Sequence, residues 1–347
     1  MNKEKVILGL SGGVDSLVSA LLLKEQGYEV IACSFKLYRN DKSIEKARQL
    51  ADKVGIAFYI IDLSKKFKLE IIDRYVSDYL NAETPNPCVW CNNDIKIAAL
   101  YDQMKRHDAS FFATGHYIRI ENLNNRFMIR KGVDANKDQS YFLWNVKQDY
   151  LKFWKTPLGS FTKREVRQKA IDEKMGFLAH SNESMGVCFI DKFGYRNFID
   201  KHPLAEHKKT LGEIIDIEGK ILGKHQGLWN YTIGQKKGLN IESTADNCVV
   251  KLDRKFNHVI VGTSEVLFVK AIDVIDYYFH QDISIYSGSI NVVVRGIGQN
   301  PKGNAEIKII DNAMLRINLE DKAWAVASGQ PVAFYYQDWL IGGGYVK

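Results

Sequence analysis

The sequence predicts an α/β domain built on a parallel sheet, followed by a small middle domain and an all-β domain. Short apolar runs alternate with amphipathic, helix-length stretches through the first third of the chain, as expected of βαβ units. The last third instead has short alternating runs separated by glycine turns, which is typical of a small barrel or sandwich. The length of 347 residues exceeds one ordinary domain, so two or three domains are expected.

The elements of the first third follow one another in a regular order. Apolar runs predict strands at residues 6–10, 29–35, 57–61 and 111–114. Apolar residues at helical spacing predict one helix that ends at Gly27 and a second that ends at Gly55. Ligands of parallel sheets bind beyond the carboxyl ends of the strands. The candidate binding loops are therefore those after Leu10, Phe35 and Thr114.

The remainder of the chain changes from a helical to a strand pattern. Thr162 and Glu165 have the S/T-x-x-E spacing of a capping box, which predicts a helix start at Thr162. The helical signal fades near residue 200, and further strands are predicted at residues 284–294, 305–310, 315–319 and 331–336. We therefore expect three domains, at residues 1–200, 201–268 and 269–347.

Composition narrows the class of protein. Hydrophobic residues make up 46% and charged residues 26%, which argues against general disorder. No apolar run reaches the roughly 18 residues of a membrane helix, and the first strand starts too early for a signal peptide, so a cytoplasmic protein without a membrane partner is expected. The net charge of +7 fits an anionic partner without requiring one. Five cysteines in so long a chain do not suggest a secreted disulfide framework.

The first candidate motif is Ser11-Gly12-Gly13-Val14-Asp15-Ser16, between a predicted strand and a predicted helix. Its glycines allow a tight turn whose amides converge on an anion, and the following helix adds a favourable dipole. The motif is not the GxxxxGK[ST] loop, because the lysine of that loop is missing. It resembles the pyrophosphate-binding loop of the N-type ATP pyrophosphatases, which split ATP between the α and β phosphates.

The second candidate motif is Thr84-Pro85-Asn86-Pro87-Cys88-Val89-Trp90-Cys91-Asn92. Asn92 or Asn93 is predicted to cap a helix over residues 95–104. Cys91 would then lie at a helix N-terminus, where the dipole lowers a thiol pKa. The C-x-x-C spacing also fits half of a zinc site, completed by Cys188 and His116, or a thioredoxin-type redox pair.

A third cysteine lies in Ser184-Met185-Gly186-Val187-Cys188-Phe189-Ile190. Taken alone, a cysteine in an apolar run is more often buried filler than a nucleophile. The order of the motifs along the chain changes that interpretation. The series begins with residues 11–16, 84–92 and Thr114-Gly115-His116-Tyr117, and continues with Lys137-Asp138-Gln139-Ser140-Tyr141-Phe142-Leu143 and Gly186–Ile190. It ends with residues 231–238, Ser328-Gly329-Gln330-Pro331 and Gly342-Gly343-Gly344.

This series resembles the tRNA-specific 2-thiouridylases over essentially the whole chain. The resemblance implies an adenine-nucleotide α-hydrolase-like domain with a pyrophosphatase loop, a small middle domain and a C-terminal β-barrel. It also implies ATP-dependent sulfur insertion at C2 of the wobble uridine, with adenylation of the carbonyl oxygen. The implied cofactors are ATP and Mg²⁺, with no further metal site. The implied partners are tRNAs such as those for Lys, Glu and Gln, and a persulfide donor, either a cysteine desulfurase or a sulfur-relay protein.

The resemblance also implies roles for individual residues. Cys188 matches the persulfide carrier and Cys91 the nucleophile that resolves it. The residues that match the ATP site are Gly9, Leu10, Ser11, Gly12, Gly13, Val14, Asp15, Ser16, Phe35 and Gly115. The residues that match contacts to the target base or tRNA are Asn86, Pro87, Cys88, His116, Lys137, Asp138, Gln139, Arg295 and Gln330.

This chain departs from the family pattern at two places. Many relatives have Asp, a candidate base, at the position of Cys88, and residues 180–185 differ from the usual Lys- and Asp-containing stretch. Basic clusters around Lys137, Lys163 and Lys208–Lys209, with His225, Trp229 and Tyr231 interleaved further on, favour a nucleic-acid surface over a merely solvated one. Two other functions remain open, an amide-forming ligase with the same loop and a tRNA-binding protein with structural zinc.

Overall fold

The computed structural model describes residues 3–39, 41–179, 186–206, 210–241, 247–286, 290–296 and 300–347. The chain divides into two compact units. The first contains Met1–Ile71, Cys88–Phe189 and Asp338–Ile341, and the second contains Ile72–Pro87, Ile190–Gln337 and Gly342–Lys347. In the part of the chain that is described, no helix has the length and apolarity needed to cross a membrane.

A five-stranded parallel sheet forms the first unit, in the order β3-β2-β1-β4-β7. An antiparallel hairpin, β5–β6, follows β4, and its Arg130 pairs with Trp339, which belongs to the same unit. The strands are β1 (Lys5–Gly9), β2 (Glu29–Lys36), β3 (Ala57–Asp62), β4 (Phe111–Ala113), β5 (Ile118–Leu123), β6 (Arg126–Lys131) and β7 (Trp154–Lys155). The parallel sheet and its first four strands are confirmed, whereas the hairpin and the two-residue strand β7 were not predicted.

Burial explains why these segments form this sheet. Val6, Ile7 and Leu8 of β1 are fully buried, as expected of a strand that is covered on both faces. The helix Val14–Glu25 packs Leu17 and Val18 into an apolar cluster that also contains Val166 of the later helix Lys163–Asp172. The capping box at Thr162 is confirmed, since its hydroxyl accepts from the Glu165 amide and the Glu165 carboxylate accepts from the Thr162 amide.

The helices of the described chain are mostly short. The α-helices are Val14–Glu25, Asp41–Val54, Ser64–Phe67, Asp73–Leu80, Pro87–Trp90, Ala98–Arg106, Gln148–Leu151, Lys163–Asp172, Gly176–Ala179 and Gly194–Asp200. The π-helical segments are Lys68–Ile72 and Cys91–Ile97. The 3₁₀ turns are Ser140–Leu143, Pro157–Ser160, Pro203–Ala205, Leu228–Asn230, Ser264–Leu267 and Ile283–Ile285.

The predicted helix over residues 95–104 begins earlier than expected. It is the last part of a continuous helical stretch that starts at Pro87, passes through the π segment Cys91–Ile97 and ends at Arg106. Proline suits a first helical position because its missing N–H has no intrahelical partner there. The prediction that Asn92 or Asn93 caps this helix is therefore wrong, since both residues lie inside it.

The second unit contains two β structures. A four-stranded sheet has the order β10-β11-β8-β9 and a core that includes Ile214, Tyr231 and Val259. A six-stranded barrel has the order β12-β15-β14-β13-β16-β17 and is closed by pairing of β12 with β17. The strands are β8 (Gly212–Asp216), β9 (Ile221–His225), β10 (Asn247–Asp253), β11 (His258–Thr263), β12 (Phe268–Phe279), β13 (Ile290–Val293), β14 (Ala305–Ile309), β15 (Met314–Trp324), β16 (Pro331–Tyr336) and β17 (Trp339–Val346).

The barrel confirms the predicted C-terminal fold and explains the run of three glycines at its closure. A Cβ atom added to Gly342 would collide with the carbonyl oxygen of Tyr278 on the neighbouring strand. A Cβ atom on Gly344 would likewise meet Val274. These glycines allow close approach of two backbones, so they have a structural role. The strand predicted at residues 284–294 is shorter, since β13 covers only Ile290–Val293 after a 3₁₀ turn at Ile283–Ile285.

Candidate functional site

A cavity of about 370 Å³ lies in the first unit, beyond the carboxyl end of β1. The strand order reverses at β1, because β2 follows it on one side and β4 on the other. Such a switch point is where open α/β sheets bind ligands. The residues that line the cavity are Gly9, Leu10, Ser11, Asp15, Ser16, Cys33, Ser34, Phe35, Leu37, Ser43, Ile44, Lys96, Leu100, Thr114, Gly115, His116, Gln139 and Cys188.

The loop after β1 is folded on itself by hydrogen bonds. The Ser11 amide donates to Ser16 Oγ at 3.1 Å, and the Ser16 hydroxyl donates to the Gly13 carbonyl at 3.1 Å. Gly12 has φ +83°, and a Cβ atom there would lie 2.8 Å from the Ser43 carbonyl oxygen. The loop therefore requires glycine at this position. Gly12, Gly13 and Val14 of the predicted ATP site do not line the cavity themselves, but they shape the loop that does.

The carboxylate of Asp15 is held from two sides. Lys163 Nζ lies 2.8 Å from both Asp15 carboxylate oxygens, and the Tyr117 hydroxyl donates to Asp15 Oδ1 at 2.6 Å. The Lys163 side chain is only 8% exposed. The prediction that Lys163 belongs to a surface basic cluster is therefore wrong for this residue, although Arg164 and Arg167 of the same helix are exposed.

The loop after β4, which contains Gly115, lies close to the loop at residues 11–16. A Cβ atom on Gly115 would lie 3.2 Å from both the Asp15 carbonyl carbon and the Ser16 nitrogen. This separation is tighter than ordinary van der Waals contact, so glycine allows the two loops to meet. The structure thus brings Ser11, Asp15, Ser16, Phe35 and Gly115 of the predicted ATP site around one cavity.

The three cysteines of the candidate motifs have different environments. Cys188 is exposed and lines the cavity, so the interpretation as buried filler is wrong. Cys91 is 5% exposed, and burial raises the pKa of its thiol to about 12. The helix-dipole argument predicted a lowered pKa and is wrong, because desolvation dominates and Cys91 lies inside a helical stretch. Burial also raises the pKa of the Cys88 thiol.

Lys96 is a cavity residue that sequence reasoning missed. It follows Cys91 by five positions within the π segment Cys91–Ile97. Because π-helical hydrogen bonds join residues i and i+5, this spacing brings the two residues to the same face. The positive charge of Lys96 opposes the effect of burial on the Cys91 pKa. An α-helical interpretation of the sequence gives no signal for this pairing.

His116 and Gln139, predicted to contact tRNA, also line the cavity. Burial, assisted by the nearby Lys96 charge, lowers the pKa of His116 to about 3, so its imidazole is neutral near pH 7. Its Nδ1 lies 2.7 Å from Thr114 Oγ1, which also accepts from the Trp154 indole N–H at 2.9 Å. Gln139 Oε1 accepts from the Tyr117 amide at 3.0 Å.

Lys137 and Asp138 lie in the adjoining loop and do not line the cavity. Asp138 accepts from the Gly132 amide at 3.0 Å and from the Ser140 hydroxyl at 2.6 Å. Its carboxylate therefore fixes the loop that presents Lys137 and Gln139.

Four of the residues predicted to contact tRNA belong to the second unit: Asn86, Pro87, Arg295 and Gln330. Gln330 accepts from the Ala327 amide at 3.1 Å, and Arg295 donates to the Trp324 carbonyl at 3.0 Å. Both side chains thus form hydrogen bonds with backbone atoms of the barrel domain. His225, Trp229 and Tyr231 are 2%, 3% and 9% exposed, so they belong to the core and do not form the exposed stacking surface that their spacing suggested.

The zinc alternative has no support in the ranges that the structure describes, where no three His, Cys, Asp or Glu side chains are grouped as metal ligands. The altered stretch at residues 180–185 and the lysines at 208 and 209 lie outside the described residues.

Three family models match successive parts of the chain. They are described as tRNA methyl transferase HUP domain (residues 4–192), tRNA methyl transferase PRC-barrel domain (residues 196–263) and Aminomethyltransferase beta-barrel domain (residues 269–346). With the parallel sheet, the loop at its switch point and the closed barrel, these matches define a tRNA-modifying transferase of the HUP-domain class.

Full-length relatives narrow the class further. A tRNA-specific 2-thiouridylase MnmA of Halothermothrix orenii is 39% identical, with 99% of each chain covered. The corresponding protein of Clostridium acetobutylicum is 37% identical, with 100% of each chain covered. The chain belongs to the family of tRNA-specific 2-thiouridylases, which confirms the resemblance seen in its motifs. A solved 4-thiouridine synthetase–RNA complex with ATP matches 54% of this chain and 45% of its own at 18% identity and a TM-score of 0.37, too low to carry an argument.

Proposed function

We propose that this chain 2-thiolates the wobble uridine of tRNA in an ATP-dependent reaction. The C2 carbonyl oxygen is adenylated with loss of pyrophosphate, and sulfur then replaces that oxygen with loss of AMP. One observation carries the proposal: the exposed thiol of Cys188 lines the same cavity as the loop at residues 11–16. An amide-forming ligase with this loop has no need of a cysteine at that place.

The loop at residues 11–16, with Gly9, Leu10, Phe35 and Gly115, is proposed to bind ATP. The glycine turn and the N-terminus of the helix Val14–Glu25 suit an anion, which supports this assignment. Asp15 supplies the carboxylate oxygens that Mg²⁺ prefers, and Mg²⁺ would disperse the charge of the phosphates. ATP supplies the driving force, because AMP is a far better leaving group than a carbonyl oxygen.

Sulfur is proposed to reach the uridine through two thiols. A persulfide on Cys188 carries the outer sulfur. The Cys91 thiolate attacks Cys188 Sγ, the S–S bond of the persulfide breaks, and the outer sulfur leaves with the electron pair. That sulfide attacks C2 of the adenylated uridine, and the C–O bond to AMP breaks. The remaining Cys91–Cys188 disulfide is reduced by a cellular thiol before the next turnover.

The proposed substrates and partners are those that the family resemblance implies. We propose wobble-uridine tRNAs such as those for Lys, Glu and Gln, a cysteine desulfurase or sulfur-relay protein as persulfide donor, and action in the cytoplasm. Residues 1–200 are proposed as the catalytic domain, residues 201–268 as a tRNA-contacting domain and residues 269–347 as the barrel domain. The residues proposed to contact the target base or tRNA are Asn86, Pro87, Cys88, His116, Lys137, Asp138, Gln139, Arg295 and Gln330.

The proposal is tested by reconstitution with tRNA, ATP and a persulfide donor. Mass spectrometry of tRNA nucleosides should show 2-thiouridine, and the nucleotide products should be AMP and pyrophosphate. Asp15→Ala and Ser11→Ala should abolish the product. The matched control is Lys169→Met, a surface change at the Glu25 ion pair. Release of ADP and phosphate, or normal 2-thiouridine in cells that lack the gene, would refute the proposal.

The sulfur route has its own test. After one turnover without reductant, peptide mapping should find Cys91 joined to Cys188. A disulfide between Cys88 and Cys91, with Cys188 free, would instead indicate a local redox pair.

A further inference from the structure

An ion pair between Lys163 and Asp15 lies behind the loop at residues 11–16. Lys163 Nζ lies 2.8 Å from both oxygens of Asp15, although the two residues are 148 positions apart. The Asp15 side chain is 34% exposed and lines the cavity, whereas Lys163 is 8% exposed and does not. The ammonium therefore faces the carboxylate from the protein side, with the cavity on the other side of Asp15.

Helix stability does not explain a lysine at this place. Lys163 is the first residue of the helix Lys163–Asp172, where a positive charge opposes the helix dipole. Its backbone is nevertheless anchored, because its amide donates to Asp134 Oδ2 at 2.9 Å. The Tyr117 ring lies 5.8 Å from the ammonium, and the Tyr117 hydroxyl donates to the same carboxylate. The surroundings thus hold a cation against Asp15.

The negative charge of Asp15 is unfavourable in a loop that is proposed to bind phosphates, which are also negative. It lies in the first turn of the helix Val14–Glu25, beside Ser11 and Ser16, which line the same cavity. An uncompensated carboxylate there would repel a polyphosphate until a divalent ion is bound between them. The Lys163 ammonium places an opposite charge 2.8 Å from both Asp15 oxygens, and the Tyr117 hydroxyl donates to one of them.

We propose that Lys163 is a positioning residue of the nucleotide site, which neutralises Asp15 and so keeps the loop able to accept pyrophosphate groups before a divalent ion binds. The inference rests on the proposed use of ATP. It differs from direct phosphate binding by Lys163, because Lys163 acts through Asp15. Removal of the Asp15 charge should therefore compensate for removal of the Lys163 charge.

The test measures binding of inorganic pyrophosphate in EDTA by isothermal titration calorimetry, with the full chain. Lys163→Met keeps the length of the side chain and removes its charge, and it should weaken binding about tenfold or more, as one unpaired charge beside an anion predicts. The double variant Asp15→Asn with Lys163→Met should bind within about threefold of the wild type, because no charge is left unpaired. Lys163→Arg should restore most of the affinity, and Lys169→Met should leave it unchanged.

Three results would overturn the inference. These are a double variant that binds as weakly as Lys163→Met, a single variant that binds like the wild type, and a wild type that shows no binding. If Lys163→Met does not fold, Asp15→Asn alone decides, since it must bind pyrophosphate in EDTA at least as tightly as the wild type. Because no tRNA is present, failure of thiolation with the expected binding pattern would refute the proposed function and leave the inference standing.

Discussion

The environment of Cys91 leads to a definite expectation about its reactivity in the free enzyme. Burial raises the pKa of this thiol to about 12, and only the thiolate is nucleophilic. At about pH 8 the thiolate fraction is then on the order of one in ten thousand, since each pKa unit changes it tenfold. Cys188 is exposed. Iodoacetamide at about pH 8 should therefore label Cys188 and leave Cys91 almost unlabelled, as measured by peptide mass spectrometry.

The pH dependence of labelling follows from the same pKa. The rate at Cys91 should rise about tenfold per pH unit with no plateau below about pH 10. Cys91 also makes the stability of the folded protein decrease at high pH, because the folded protein favours the neutral thiol. The stability that Cys91 contributes is complete below its ordinary pKa of 9.0 and is lost as the pH rises towards about 12.

Lys96 provides the perturbation that tests the electrostatic argument. Its charge lowers the Cys91 pKa against the effect of burial, so Lys96→Met should raise that pKa and slow labelling of Cys91 at fixed pH by about tenfold. Lys105→Met is the matched control, because Lys105 is an exposed lysine on the same helical stretch, and it should change nothing. Equal labelling rates for Cys91 and Cys188 at about pH 8, or a plateau near neutral pH, would refute the reasoning.

Three further predictions concern tRNA, Cys88 and the fold. Lys137→Ala should weaken tRNA binding and reduce its salt dependence while ATP binding is unchanged, and an unaltered salt slope would assign Lys137 to ordinary surface. Cys88→Asp should retain thiolation and Cys88→Ser part of it, because the family resemblance implies Asp at this position, and complete loss in Cys88→Asp would contradict this. Thr162→Ala removes the hydroxyl that accepts from the Glu165 amide but keeps the Thr162 amide that donates to the Glu165 carboxylate, and it should lower the free energy of unfolding by about 1 kcal/mol, measured by urea titration.

The sheet of the first unit was predictable because its signal is local. Residues 6–10 form an apolar run that the structure buries on both faces, and the glycines after it indicate a turn without any tertiary information. The cavity followed from a topological rule, since parallel strands present their carboxyl ends at one edge. The barrel closure was less visible, because β12 and β17 have almost no alternation in their burial.

The charges of the site were not predictable, because they depend on distant contacts. Lys163 lies among charged neighbours in a helix start, and nothing local separates it from the exposed Arg164. Its contact with Asp15 joins two segments 148 residues apart. Lys96 was missed for a different reason, since its alignment with Cys91 requires a π-helical turn, and the sequence was interpreted with α-helical spacing.

The two thiols of the proposed sulfur route differ in accessibility. This difference supports Cys188 as the carrier that receives sulfur and Cys91 as the thiol that resolves the persulfide. A persulfide carrier receives sulfur from another protein, so its thiol must be reachable, as that of Cys188 is. A resolving thiol reacts only with the carrier and needs no access from outside. Burial of Cys91 also keeps it protonated, so it does not attack the donor or other disulfides in the free enzyme. The opposite assignment would require a donor protein to reach a side chain that is 5% exposed.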